Sequence, residues 1–169
     1  GHHLADYWIN RVPLIVRFPG ITNGGRIDDA LHYQFDWAAT LIELAGGTIP
    51  DIWDGESFAE TFKAGKSDGR DYLVLSHAAM TAQRSVRFDD YQYIRTYHDG
   101  YKLFDPDLLY DVVNDPHEIQ NLAQKNPELV HQATYYLTQW HNDMIAKSTT
   151  STDPMVSVLK EGGPYHSRG

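Results

Sequence analysis

The chain has 169 residues, enough for one domain or two small lobes around a buried core. Its formal net charge of −9 at pH 7 argues against a surface that binds nucleic acid or an anionic membrane, and neither partner is expected. Cysteine is absent, which excludes disulfides, thiolate metal sites and cysteine nucleophiles. No apolar run approaches the roughly 20 residues that span a bilayer.

The first two predicted elements are a strand and a helix. The run VPLIVRFPG at 12–20 is rich in Val and Ile and lacks polar alternation, which predicts a strand buried on both faces, as in a parallel sheet. The segment DWAATLIELAGG at 36–47 has apolar residues at helical spacing and ends in two glycines, which predicts a helix. A strand followed by a helix is typical of an α/β layer.

Short strands follow one another after residue 71. They are predicted at 72–78, 84–90 and 91–98, with one or two more between 102 and 113. The pairs Asp89-Asp90 and Asp99-Gly100 are typical of tight turns between antiparallel strands. The pattern therefore predicts an antiparallel meander and not a continuation of the parallel sheet.

The strongest helical pattern runs from Pro127 to Lys147. Its apolar residues form one stripe that includes Trp140, and Pro127 suits the first turn, while Asn126 is a candidate cap. The residues at 149–169 are polar and interrupted by Gly and Pro, and we expect them to form a surface tail.

The segment LLYDVVNDPHEIQNLA at 108–123 contains a dense group of acids and a histidine. A calcium site would need six or more oxygens that converge on one point. The run Asn114-Asp115-Pro116 is instead typical of a turn, because Pro presets φ and Asx side chains bond the neighbouring backbone. We therefore favour a strand followed by a turn over a metal site.

Four phrases together carry a resemblance to a known family. They are RVPLIVRFPG at 11–20, DWAATLIELAG at 36–46 followed by DGES at 54–57, RSVRFDDYQYIRTY at 84–97, and the LYDVVNDPHEIQNLA segment. In this order they resemble the C-terminal part of the sulfatase family, whose members resemble alkaline phosphatase in fold.

The resemblance implies an α/β fold. It would consist of the tail end of an alkaline-phosphatase-like mixed α/β sheet, followed by a small antiparallel four-stranded sheet packed on a long C-terminal helix. Residues 1–66 would form the C-terminal edge of the large α/β domain, residues 67–148 the small C-terminal lobe, and residues 149–169 the surface tail.

The family's reaction is hydrolysis of sulfate esters by a formylglycine, with a bound calcium. The formylglycine arises within a C/S-x-P-x-R motif, which this sequence lacks. Gly1 resembles the glycine that follows the family's last calcium ligands. We therefore expect no catalytic residue, metal ligand or cofactor in this chain, calcium in the parent enzyme, and no activity of the chain alone. The implied partners are the remaining N-terminal sulfatase domain and a sulfated carbohydrate or aryl sulfate.

In sulfatases the small lobe leans over the mouth of the active site. The resemblance thus implies that His77, Gln83 and Arg84, around the first turn of the meander, bind the substrate's sugar or aryl group. The alternative is a loop histidine and a surface arginine with structural roles, and the two interpretations stay open. Two other functions also stay open. One is a free-standing carbohydrate-binding module, and the other is a fragment of a phosphodiesterase or phosphonate hydrolase of the same superfamily.

Overall fold

The computed structural model describes residues 5–22, 24–63, 65, 69–78, 81–100, 102–150 and 152–160. The contacts within the chain divide it into two compact units, and the division falls inside the first strand. We call residues 12–73 the helical unit. We call the remainder, residues 5–11 and the chain from Val74 onward, the sheet unit.

The described sheet has four strands in the order of the sequence, and all but the first two residues of its first strand belong to the sheet unit. They are β1 (Tyr72–Ala78), β2 (Ala82–Phe88), β3 (Tyr91–His98) and β4 (Asp107–Asp111). β3 pairs antiparallel with both β2 and β4. The tight turn predicted at Asp89-Asp90 is confirmed, and Asp89 has a positive φ of 42° there. The predicted meander is therefore confirmed.

One face of this sheet packs against the long helix. α4 spans Pro127–Lys147, as the sequence predicts. The ring of Tyr136 lies 5.7 Å from that of Phe88 on β2, and Leu137 is buried. The predicted cap is wrong, because the Asn126 side chain donates to the carbonyl of Leu122 and does not cap the helix.

The opposite face of the sheet is covered by the segment 5–11, which contains the short helix α1 (Tyr7–Asn10). Ala5 is fully buried there and packs with Ile94 and Leu108. Because side chains alternate along a strand, this face also carries Gln83 on β2 and Gln92 on β3, both buried. The sheet therefore has an apolar face toward α4 and a mixed, largely polar face toward its own N-terminal segment.

The helical unit contains α2 (Asp36–Leu44) and α3 (Ala59–Lys63). The buried carboxylate of Asp36 organises it. This group accepts two bonds from the Arg70 guanidinium, at 3.0 and 2.7 Å, and further bonds from the backbone N–H groups of Tyr33 and Glu56. Arg70 also lies 4.9 Å from the centre of the Tyr33 ring. One ion pair thus fixes the start of α2 against two separate loops.

The prediction of a buried strand at 12–20 is wrong for this chain, because the segment forms no strand. Val12 and Ile15 are 62% and 94% exposed. A strand of a parallel sheet needs hydrogen-bonding neighbours. Among the described residues, no strand pairs with this segment.

The expectation of a plain surface tail at 149–169 is also wrong in part. Residues Pro154–Lys160 form the helix α5, and Met155 is buried. The residue before this helix, Asp153, makes an ion pair with Arg84 of β2. The end of the described chain is thereby attached to the sheet unit. Residues 161–169 lie outside the described part of the chain.

Candidate functional site

His77 lies near the C-terminal end of β1 and is half-buried. Its Nε2 atom is 3.1 Å from the Oδ1 atom of Asn10, in the segment that covers the polar face of the sheet. A neutral imidazole with its proton on Nε2 would donate this bond. The contact gives His77 a structural partner while part of its ring stays accessible.

Gln83 is the second residue of β2 and is only 1% exposed. Its Oε1 atom accepts the N–H of Ala5 at 3.3 Å, and its amide nitrogen donates to the Thr96 hydroxyl at 3.1 Å. Gln92 on the neighbouring strand donates to the carbonyl of Ala5 at 3.0 Å. Two buried glutamines therefore satisfy both backbone groups of one buried residue.

Arg84 is 6% exposed and points to the other face of the sheet. Its two terminal nitrogens donate to the Asp153 carboxylate at 2.8 and 2.6 Å, and its Nε donates to the Ser76 hydroxyl at 3.2 Å. The guanidinium carbon lies 5.2 Å from the ring centre of Trp140 and 5.9 Å from that of Tyr97. This is a bidentate pair beside two aromatic rings.

The structure therefore does not bring the three predicted site residues into one cluster. His77 and Gln83 both hold the segment 5–11, and Arg84 holds the residue before α5. The polar groups of Gln83 and Arg84 are used by these internal contacts. A direct substrate contact by either side chain would require such a contact to open, and the substrate assignment of all three stays a prediction.

Glu118 is a residue whose role the sequence pattern did not reveal. Both of its carboxylate oxygens lie 3.3 Å from the backbone nitrogen of Tyr7. Burial, together with the nearby charges of Asp6 and Asp115, raises the pKa of Glu118 to about 7, although the bond from Tyr7 opposes the shift. Its φ of 54° is also unusual for a residue other than glycine. In the sequence, this role is indicated only by the position of Glu118 among the closely spaced acidic residues after β4.

The neighbouring acids serve the backbone. Asp111 accepts the N–H groups of Val113 and Asn114, and Asp115 accepts those of Ile119 and Gln120. These bonds form the strand end and turn that the sequence predicts. Within the described residues, no group of three or more His, Cys, Asp or Glu side chains is arranged to hold a metal ion.

Comparison with known proteins places this arrangement among sulfatases. A family model described as "N-sulphoglucosamine sulphohydrolase, C-terminal" matches residues 8–144. An ulvan-active sulfatase from Formosa agariphila is 25% identical over 148 residues, which cover 70% of this chain and 30% of that protein. An N-acetylglucosamine-6-O-sulfatase from Bacteroides thetaiotaomicron is 29% identical over 135 residues, which cover 71% of this chain and 24% of that protein.

The fold is shared with solved sulfatase structures. One, determined with its substrate D-glucosamine-2-N,6-O-disulfate, superposes with a TM-score of 0.69 at 22% identity. The match covers 78% of this chain and 28% of that one, and at this identity it shows the fold alone. The chain spans 30% and 24% of the length of these two curated relatives. Across the described residues, no helix is both long enough and apolar enough to cross a membrane.

Proposed function

Because this chain belongs to the sulfatase family, as a C-terminal sulfatase domain, we propose that the protein it comes from hydrolyses sulfate esters. The observation that supports this most directly is the family match over residues 8–144, together with the four-stranded sheet on a long helix. Family membership supports a hydrolase as the parent. The reaction itself is inferred, since the chain spans only part of its relatives.

The chemistry would come from the remaining N-terminal domain, with the nucleophile and the calcium. Asp111 and Asp115 accept backbone N–H groups, and Asp36 and Asp153 pair with Arg70 and Arg84. Calcium, when bound in the parent, would neutralise charge on the sulfate oxygens. This chain would contribute fold and part of the substrate surface.

The apolar segment 12–20 supports the N-terminal domain as a partner. Val12 and Ile15 are largely exposed in a stretch with the composition of a doubly buried strand. Such a segment is stabilised when it pairs within a sheet, and apolar surface of this kind is typical of interfaces. We infer that this exposed apolar surface packs against the N-terminal domain. In the same scheme, residues 1–66 belong to the edge of that domain, residues 67–148 form the small lobe, and 149–169 follow it.

The proposed substrate is a sulfated carbohydrate. Two of the relatives are named for ulvan and for N-acetylglucosamine-6-O-sulfate, and the structural relative was solved with a sulfated glucosamine. We propose that His77 contacts the sugar, and that Gln83 and Arg84 could do so only where their internal hydrogen bonds open. Of the three, His77 has the most accessible side chain.

The test uses the parent protein with its N-terminal domain. Sulfate release from 6-O-sulfated N-acetylglucosamine would be measured beside hydrolysis of nitrophenyl sulfate, a phosphodiester and a phosphonate monoester. Preferential release of sulfate from the sugar supports the proposal. Preference for the phosphorus esters would instead favour a phosphodiesterase or phosphonate hydrolase. Sugar binding without hydrolysis of any substrate would favour a carbohydrate-binding module.

A further inference from the structure

The Asp153 carboxylate is surrounded by hydrogen-bond donors from three elements. Arg84 supplies two bonds from β2, and the backbone N–H of Met155 supplies one at 3.0 Å. The Nε2 atom of His141 on α4 lies 3.2 Å from the Oδ2 atom of Asp153. Three separate elements thus meet at one carboxylate.

These contacts are shielded from water to different degrees. The Arg84 side chain is 8% exposed and that of Asp153 is 13% exposed, whereas 40% of the His141 side chain faces solvent. The hydrogen bonds from Arg84 lower the pKa of Asp153, so the carboxylate stays ionised across the physiological range. Both members of the Arg84–Asp153 pair therefore stay charged, and the His141 contact changes strength with the charge of the ring.

Asp153 and α5 lie outside the part of the chain that the family model matches, which ends at residue 144. α4 ends at Lys147, and Asp153 is joined to it by a short run of Ser and Thr. α5 has seven residues, and of these only Met155 is buried. So short a helix is marginal by itself, and its position depends on tertiary contacts.

We propose that Asp153 and α5 form a latch on the sheet unit, and that protonation of His141 tightens this latch. The charged and titratable groups that face Asp153 are Arg84 on β2 and His141 on α4, while Tyr97 on β3 faces Arg84. When the His141 ring is protonated, it adds a second cation to the pair. The latch also controls access to Arg84, because its opening moves the Asp153 carboxylate away from the guanidinium. This inference does not depend on the proposed hydrolytic activity.

Hydrogen exchange of the α5 amides in the full chain tests the latch. The wild type is compared with His141→Gln at pH 5.5 and again at pH 8, so that the pH dependence of the intrinsic exchange rate cancels. A partly exposed ion pair predicts roughly two- to fivefold stronger protection of residues 154–160 in the wild type at pH 5.5 and no difference at pH 8. A difference of the same size at both pH values, or none at either, overturns the role of His141.

The anchor itself is tested with Asp153→Asn. Loss of a charge-assisted bidentate bond should reduce protection of the α5 amides by roughly ten- to a hundredfold at both pH values. Asp143→Asn, which changes an exposed acid on α4, is the matched control and should leave α5 unchanged. The amides of β3 report whether the sheet remains folded. Unchanged α5 protection in Asp153→Asn, with β3 intact, would contradict the latch.

Discussion

The carboxylate of Glu118 accepts the backbone N–H of Tyr7, across 111 positions of sequence, with both oxygens 3.3 Å from the nitrogen. This bond ties the segment that covers the polar face of the sheet to the turn that follows β4. It also places a carboxyl group in a partly buried position with other acids nearby. The stability of this tie should therefore depend on pH.

Replacing Glu118 with Gln should remove part of the pH dependence of stability. The pKa of Glu118 is raised from 4.5 to about 7 in the folded chain, so between these values the folded state holds a proton that the unfolded state has released. The wild-type contribution is therefore complete below pH 4.5 and is lost as the pH rises to about 7. Urea unfolding at several pH values should show wild type losing stability relative to Glu118→Gln across this window.

The control for this measurement is Glu128→Gln, an exposed acid in the first turn of α4. This substitution changes the formal charge by the same amount but removes no buried contact. The difference in stability between wild type and Glu128→Gln should therefore stay constant between pH 4.5 and about 7. If the difference between wild type and Glu118→Gln is the same at pH 4 and pH 8, the carboxyl is not shifted in the folded chain.

Removal of the Asp36 carboxylate should destabilise the helical unit strongly. Asp36→Ala leaves Arg70 without its main partner and leaves the N–H groups of Tyr33 and Glu56 unsatisfied. Loss of one member of a buried pair typically costs about 3–5 kcal/mol in free energy of unfolding. Chemical denaturation followed by the fluorescence of Trp37 and Trp53, both in this unit, would measure the loss.

The Lys63–Glu43 pair provides the matched comparison, because it has a similar distance of 2.8 Å but is solvent-exposed. Exposed pairs contribute little because water screens them, so Glu43→Ala should change the free energy of unfolding far less than Asp36→Ala does. Equal losses in Asp36→Ala and Glu43→Ala would mean that burial does not strengthen the Asp36 contacts.

The sheet and the long helix could be predicted from the sequence because their signals are local. Alternating residues, Asp-Asp turns and a proline-initiated apolar stripe specify the meander and α4 without reference to distant residues. The strand that the same reasoning predicts at 12–20 is absent from the structure. A continuous apolar run is typical of a strand that is buried on both faces of a sheet. The strands that would pair with this run are not among the described residues.

The candidate site was less accessible to sequence reasoning because its contacts are long-range. Arg84 and Asp153 are 69 positions apart, and Gln83 and Ala5 are 78 positions apart. No periodicity connects such pairs. Trp140 shows the same limit, since its place on the apolar stripe predicts a core residue, whereas its ring is only partly buried and stacks beside Arg84.

The chain by itself should hydrolyse neither aryl sulfates nor phosphodiesters. It has no cysteine and no C/S-x-P-x-R motif, and its described residues hold no metal-binding group of acids and histidines. The measurement is turnover of nitrophenyl sulfate and of a phosphodiester by the purified chain with added calcium. The parent protein assayed in parallel shows whether the conditions support catalysis. Turnover by the isolated chain above the buffer rate would contradict the expectation.

A larger side chain at Ala5 should detach the segment 5–11 from the sheet. Ala5 is fully buried, and its N–H and carbonyl are both held by glutamines, so the backbone cannot shift without breaking a bond. Ala5→Val adds two methyl groups to a filled site, and overpacking of this kind costs about 1–3 kcal/mol.

The exposed Ala78 at the end of β1 offers a control, because Ala78→Val adds the same volume in open surroundings. Proteolysis after Arg11 should become faster in Ala5→Val and remain slow in Ala78→Val. Equal cleavage rates in the two variants would show that the two glutamines do not hold the segment as tightly as their geometry indicates.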